Sequence, residues 1–115
     1  MTENVDEVVI GATGAELKLT FKNRATGQPL PITGGSVRLQ GQSEDVQLKD
    51  IDVAGTIFDG PNGVGLWTSL GTIISLVDLG NRTFATYTLR GKFTDGSGKH
   101  DWTDEFQLRW VRPPV

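Results

Sequence analysis

Asn81 to Val111 reads NRTFATYTLRGKFTDGSGKHDWTDEFQLRWV, and the reading of this stretch decides the fold. Two alternating runs flank a Gly-rich tip, a strong short-range hairpin signal. In the first run Ala85, Tyr87, Leu89, Gly91 and Phe93 share one side, and Phe84, Thr86, Thr88, Arg90 and Lys92 share the other. In the second run Phe106, Leu108 and Trp110 share one side, and Glu105, Gln107 and Arg109 the other. Period 2 with one apolar and one polar side marks a half-buried strand. The pair is expected to form the central hairpin of an antiparallel sheet. Tyr87, on the inward side, needs a hydrogen-bond partner for its hydroxyl.

Upstream of this hairpin the chain continues in short strands. Glu16 to Phe21 alternates, with Leu17, Leu19 and Phe21 inward. Ser36 to Gln40 places Val37 and Leu39 inward. Val8 to Ile10, Thr56 to Phe58 and Val64 to Thr68 read as further short strands, with Val64 and Leu66 on one side and Trp67 on the other. Between Val46 and Val53 the apolar parity changes, which a bulge near Lys49 and Asp50 would reconcile. Gly11 to Gly14, Asn23 to Gly27, Ile32 to Gly35 and Asp59 to Gly63 carry turn chemistry. Pro113 and Pro114 stop the last strand near Val111.

Ser69 to Leu79 is ambiguous. Leu70, Ile73, Ile74 and Val77 follow helical spacing, with Ser69 placed to cap the start and Gly80 the end. Thr72, Ile73, Ile74 and Val77 are β-branched, and Gly71 weakens a helix. A short helix, a strand and irregular structure all stay open. The whole pattern, about seven to eight short strands with regular turn signals, describes an all-β antiparallel sandwich. A small barrel is the runner-up.

Length and composition fit this picture. The 115 residues suit one domain, expected over 8–112 after a lead-in at 1–7 and before a tail at 113–115. Hydrophobic residues make up 37% and charged residues 22%, which argues against a disordered chain. A net charge of −3 argues against a nucleic-acid partner. The absence of Cys excludes disulfides, thiolate nucleophiles and Cys-based metal sites. The acidic N-terminus is not a signal peptide, and no apolar run reaches the ~18 residues of a membrane span.

Catalytic patterns are missing. The single His100 stands next to Asp101, but strand neighbours point to opposite sides, so it reads as an exposed hairpin-loop residue without an orienting partner. No nucleophile elbow, P-loop or dinucleotide fingerprint is present. Asp50 with Asp52, and Asp59 with Asn62, are too sparse for a calcium loop and read as solvated turn carboxylates. Asn81-Arg82-Thr83 matches the glycosylation pattern but reads as a chance triplet at a strand start. The chain is expected to be no enzyme, with no cofactor and no metal. Trp67 and Trp102 are candidates for exposure. They offer either a protein contact or, as the alternative function, a stacking platform for a glycan in a carbohydrate-binding sandwich.

Three segments carry a family resemblance: ELKLTF (16–21), TGQPLPITGGSVRLQG (26–41) and FTDGSGKHDWTDEFQLRWV (93–111). Their order resembles the immunoglobulin-like modules of phage tail and baseplate proteins, such as the N-terminal domains of upper baseplate proteins. Gln28-Pro29-Leu30, Ile32-Thr33-Gly34, Val37-Arg38-Leu39 and Asp95-Gly96 stand where those modules carry similar turns and strands. Gly63 to Gly80 departs from the pattern, being longer and more apolar. The resemblance implies an immunoglobulin-like sandwich that serves as a virion structural or assembly module, located in the virion or the cytoplasm of the producing cell. Its partners would be other structural proteins or copies of itself, with no nucleic acid and no membrane. The contact or cap element would be Leu70 to Leu79, with Ile73, Ile74, Val77, Trp67 and Trp102 as interface candidates.

Overall fold

A computed structural model describes residues 6–114. Met1 to Val5, most of the expected lead-in, lie outside the described residues, as does Val115. The fold is a β-sandwich of two unequal sheets. The larger contains β1 (Asp6–Val9), β3 (Ser36–Ser43), β4 (Ile51–Ala54), β7 (Phe84–Thr94), β8 (His100–Trp102) and β9 (Phe106–Val111). Its order is β1-β9-β7-β3-β4, with β8 paired to the far half of β7. The smaller contains β2 (Leu17–Thr20), β5 (Thr56–Asp59) and β6 (Val64–Trp67), in the order β2-β6-β5.

β7 is the spine, as its alternation predicts. Ala85, Tyr87, Leu89, Gly91 and Phe93 are buried, and Leu108 and Trp110 join them from β9. The small sheet covers one part of this inner face. There Phe21 meets Phe93 with ring centroids 6.0 Å apart, and Leu19 sits where a Cβ on Gly91 would come within 3.0 Å of it. Leu70, Ile74 and Leu79 are buried in the same core, and the backbone carbonyl of Leu70 accepts the Trp110 indole N–H at 2.9 Å. Tyr87 is wholly buried beside Trp110 in an edge-on pair at 5.4 Å. Its hydroxyl donates to the Lys49 carbonyl at 2.7 Å, the partner its burial required.

Several expectations need correction. The described residues hold nine strands, and the sandwich is not wholly antiparallel. β1 pairs with β9 in parallel, because alternation fixes which side chains face inward but not strand direction. Asp6 and Glu7, expected in the lead-in, belong to β1. Val46 to Lys49 do not extend β4. Asp45 closes a turn there, its backbone carbonyl accepting from Leu48 N–H at 3.0 Å and its carboxylate from Gln47 N–H at 3.0 Å. Val46 is left 94% exposed, and no bulge is needed to account for the parity change.

The stretch 69–79 becomes a 3-10 turn, Leu70–Thr72, and a single helical turn, α1 (Leu76–Leu79). Ser69 adopts a left-handed φ of 53° and caps nothing with its side chain. The cap falls instead at Ser75. Its hydroxyl accepts from Asp78 N–H while the Asp78 carboxylate accepts from Ser75 N–H, a complete capping box. Gly80 ends the turn with φ 63°, as its position suggested. Gly71 is there for close approach: a Cβ would lie 2.4 Å from the Ala12 carbonyl oxygen, and Gly71 itself accepts from Gly11 N–H at 2.8 Å. The break at Ser75 disrupts the single helical stripe, so Ile74 and Val77 do not share a face.

Candidate functional site

The smaller sheet packs on one face of the larger, and the other face is open. Its residues follow from register. Arg38 pairs with Lys92, Gln40 with Arg90 and Gln42 with Thr88 across β3 and β7. Gln40 pairs with Asp52 across β3 and β4. Phe84 pairs with Val111 and Thr86 with Arg109 across β7 and β9. The open face therefore runs from an apolar end at Phe84 and Val9, through a belt of amides and hydroxyls, to a charged end.

At the charged end the return strand is interrupted. Trp102 pairs with Lys92 and Phe106 with Leu89. Counting along the chains, Lys92 to Leu89 is three steps and Trp102 to Phe106 is four. The extra residue is a bulge. It is held by Thr103, whose hydroxyl oxygen accepts from Gly91 N–H at 2.8 Å and whose own N–H donates to the Gly91 carbonyl at 3.0 Å. One extra residue in a period of 2 inverts every side chain beyond it. Trp102 has the parity of Trp110 in the sequence, yet it emerges on the open face beside Lys92.

There Trp102 organises a cationic patch. The Arg90 guanidinium stacks 3.9 Å from its ring centroid and Lys92 Nζ lies at 5.3 Å. Trp102 also borders a cleft of about 420 Å³ whose wall includes Lys22 and Arg24. Arg24 reaches from the loop after β2 to Asp104 in the bulge at 3.1 Å. Next to this patch is a wider groove of about 600 Å³, lined by Glu44, Asp50, Asp52, Thr88, Arg90 and Glu105 among others. Asp52 is neutralised by Arg38 Nε at 2.6 Å. That hydrogen bond holds its carboxyl below the usual carboxylate range, against a smaller opposing effect of burial.

At the other end, Arg82 ties α1 to the loop before β4. It donates to the Asp45 carboxylate at 2.6 Å, to the Leu79 carbonyl at 3.2 Å and to the Gln47 amide oxygen at 3.2 Å. Arg112 donates to the carbonyls of Arg82 and Gly80. Lys49 bridges Asp78 at 3.2 Å.

The interface candidates from the sequence separate. Val77 is 90% exposed on α1. Ile73 is half-buried against the core, and Ile74 is 0% exposed, so the three do not form one patch. Trp67 is 2% exposed, which corrects its expected exposure. Its ring lies over Gly65 and Gly55, whose missing side chains leave it room, and its indole N–H donates to the Val53 carbonyl at 3.2 Å. The signal was available in Gly65, which shares the inward side with Trp67. Trp102 alone of the two tryptophans reaches the surface, so the two-tryptophan platform does not form.

The chemical candidates have structural partners. His100 is exposed in β8, with Nδ1 2.9 Å from the Thr94 hydroxyl. Asp59 accepts from the Asn62 amide at 2.8 Å within its turn. Asp95 gathers the hairpin tip: its Oδ1 accepts from the Ser97 hydroxyl at 2.8 Å and from the Lys99 N–H at 3.0 Å. These bonds, the Ser97 hydroxyl first, lower its pKa. Among the described residues no group of three or more His, Asp or Glu is placed to hold a metal ion, and no helix is long and apolar enough to cross a membrane.

No protein-family model matches the chain, and no curated protein matches it. Among solved structures it is similar to the N-terminal domain of phage TP901-1 ORF48. That similarity has a TM-score of 0.51 at 10% identity, covering 96% of this chain and 86% of that one. At such identity the likeness is one of fold.

Proposed function

We propose that this chain is a non-catalytic structural and protein-interaction module of a phage or phage-like particle, a tail or baseplate component that acts through assembly contacts. Its partners are other structural proteins or copies of itself. The observation that carries this reading is the likeness of fold to a phage domain across 96% of the chain. The turn and strand pattern in 16–41 and 93–111 points the same way. The side chains support contact over catalysis. His100 is matched with a threonine hydroxyl on an exposed strand, and the groove beside Arg90 offers carboxylates and amides without a nucleophile and base in contact.

The test is localisation on particles. Antibodies raised against the purified chain are applied to tailed particles prepared from the strain that encodes it. Labelling confined to one end of the tail is expected in electron micrographs. Absence of the chain from both intact and disrupted particles, by labelling and by mass spectrometry, overturns the reading.

A further inference from the structure

The open face carries both charge signs, in two adjacent sectors. In the groove, Glu44, Asp50 and Glu105 are exposed. None of the three makes an ion pair among the described residues. In the patch around Trp102, Arg90 and Lys92 also make none. Arg38 and Arg109 on the same face, and Arg24, Lys49 and Arg82 away from it, each have a carboxylate within 4.0 Å. Unpaired charges also occur off this face, Lys18 and Lys99 among them, but on the open face unpaired groups of both signs lie side by side on a sheet surface that no other layer of the fold covers.

From this arrangement we infer that the open face of the large sheet is a self-association surface. Two copies meet face to face about a two-fold axis, each setting its Arg90–Lys92–Trp102 patch against the acid-lined groove of the other. The inference rests on the assembly reading above and names the surface and the partner. A second copy is the occupant because a partner must present a cationic aromatic patch next to an acidic groove, and this chain presents both. A two-fold axis makes such a surface complementary to itself. Long-range repulsion between copies of net charge −3 is screened beyond ~8 Å at physiological salt, so the short-range pairs decide the outcome. Arg and Trp are the residue types that anchor interfaces. Arg90 is already stacked on Trp102, so less side-chain freedom is lost on contact. At the far end of the face, Phe84 and Val9 add exposed apolar area.

The experiment is sedimentation equilibrium over a wide concentration range at low and high salt, with folding checked by circular dichroism. The wild-type chain is expected to form a dimer that weakens as salt rises. Arg90→Glu with Lys92→Glu makes both sectors acidic, and Asp50→Lys with Glu105→Lys makes both basic. Each double variant alone should dimerise at least ~10-fold more weakly. An equimolar mixture of the two should restore a dimer. If a charge-reversed variant fails to fold, the neutral pair Arg90→Gln and Glu105→Gln gives the same test, each weakening the dimer alone. A wild-type chain that stays monomeric up to millimolar concentration overturns the inference, as does a dimer indifferent to these changes. Either failure leaves the phage-particle reading to be decided by the labelling experiment.

Discussion

Trp102 and Trp110 lie on the same return run and share a parity, yet they have opposite fates. Trp110 is 0% exposed, edge-on to Tyr87 and hydrogen-bonded to Leu70. Trp102 is on the open face, stacked under Arg90. The difference comes from one residue inserted between them, held at Thr103 by its paired bonds to Gly91. In β9 the return run is a core strand, and in β8 it is a surface strand. A bulge therefore lets one hairpin serve two layers: it closes the core with one tryptophan and equips the outer face with the other.

The largest effect should come from removing each ring in turn. Trp110→Ala deletes a fully buried ring in close contact with Tyr87 and removes the indole donor from the Leu70 carbonyl, which keeps only the Ile73 N–H. It should cost about 3–5 kcal/mol of folding stability, the range for large aromatic truncations in cores. Trp102→Ala removes a half-buried ring from the surface and should cost about 1 kcal/mol or less. Urea denaturation of the two variants measures the contrast. Equal losses would mean that the bulge does not separate the two layers.

The sequence made one of these layers legible and hid the other. Alternation in Phe84 to Thr94 marked the buried side of β7 correctly at every residue from Ala85 to Phe93. It also required a partner for the Tyr87 hydroxyl, which the Lys49 carbonyl supplies. The bulge left no such mark, because Trp102 and Phe106 keep the same parity across it. What fixes it is a tertiary bond from Thr103 to a backbone amide on another strand, which periodicity does not record. The burial of Trp67 escapes the alternation for a related reason: the room for its ring is made by Gly55, between β4 and β5, as well as by Gly65. In 69–79 the helical spacing was real, but the left-handed Ser69 and the capping box at Ser75 divide the segment, so the buried and exposed apolar residues belong to different pieces. The open face as a candidate site was not visible in the sequence, since it depends on which strands of the large sheet are neighbours.

A smaller perturbation acts on the bulge itself. Thr103→Val keeps the shape of the side chain and removes the oxygen that accepts from Gly91 N–H at 2.8 Å. Gly91 is buried, so its N–H loses its side-chain partner, at a cost of about 1–3 kcal/mol. Denaturation measures the loss, and hydrogen exchange localises it: the Gly91 amide should lose protection while the Tyr87 amide keeps it. Unchanged protection at Gly91 would show that Thr103 does not hold the bulge.

The smallest effect tests the dry side of the comparison at Tyr87, the neighbour of Trp110. Tyr87→Phe removes the hydroxyl bonded to the Lys49 carbonyl and should cost about 1 kcal/mol near neutral pH. Burial, and after it the nearby Asp78 and Asp50 charges, raise the phenol from its ordinary 10.0 to about 12. With its pKa higher in the folded state than in the unfolded state, this group contributes stability that is fully present below pH 10. That contribution is lost as pH rises from about 10 through about 12. Because Tyr87 is the only tyrosine in the chain, its ultraviolet titration is unobstructed by others. The expected midpoint lies near 12 in the folded protein, with a stability loss over the same window that Tyr87→Phe lacks. A midpoint near 10 in the folded chain would place the hydroxyl in water, and the inner layer of the hairpin would then be no drier than the outer one.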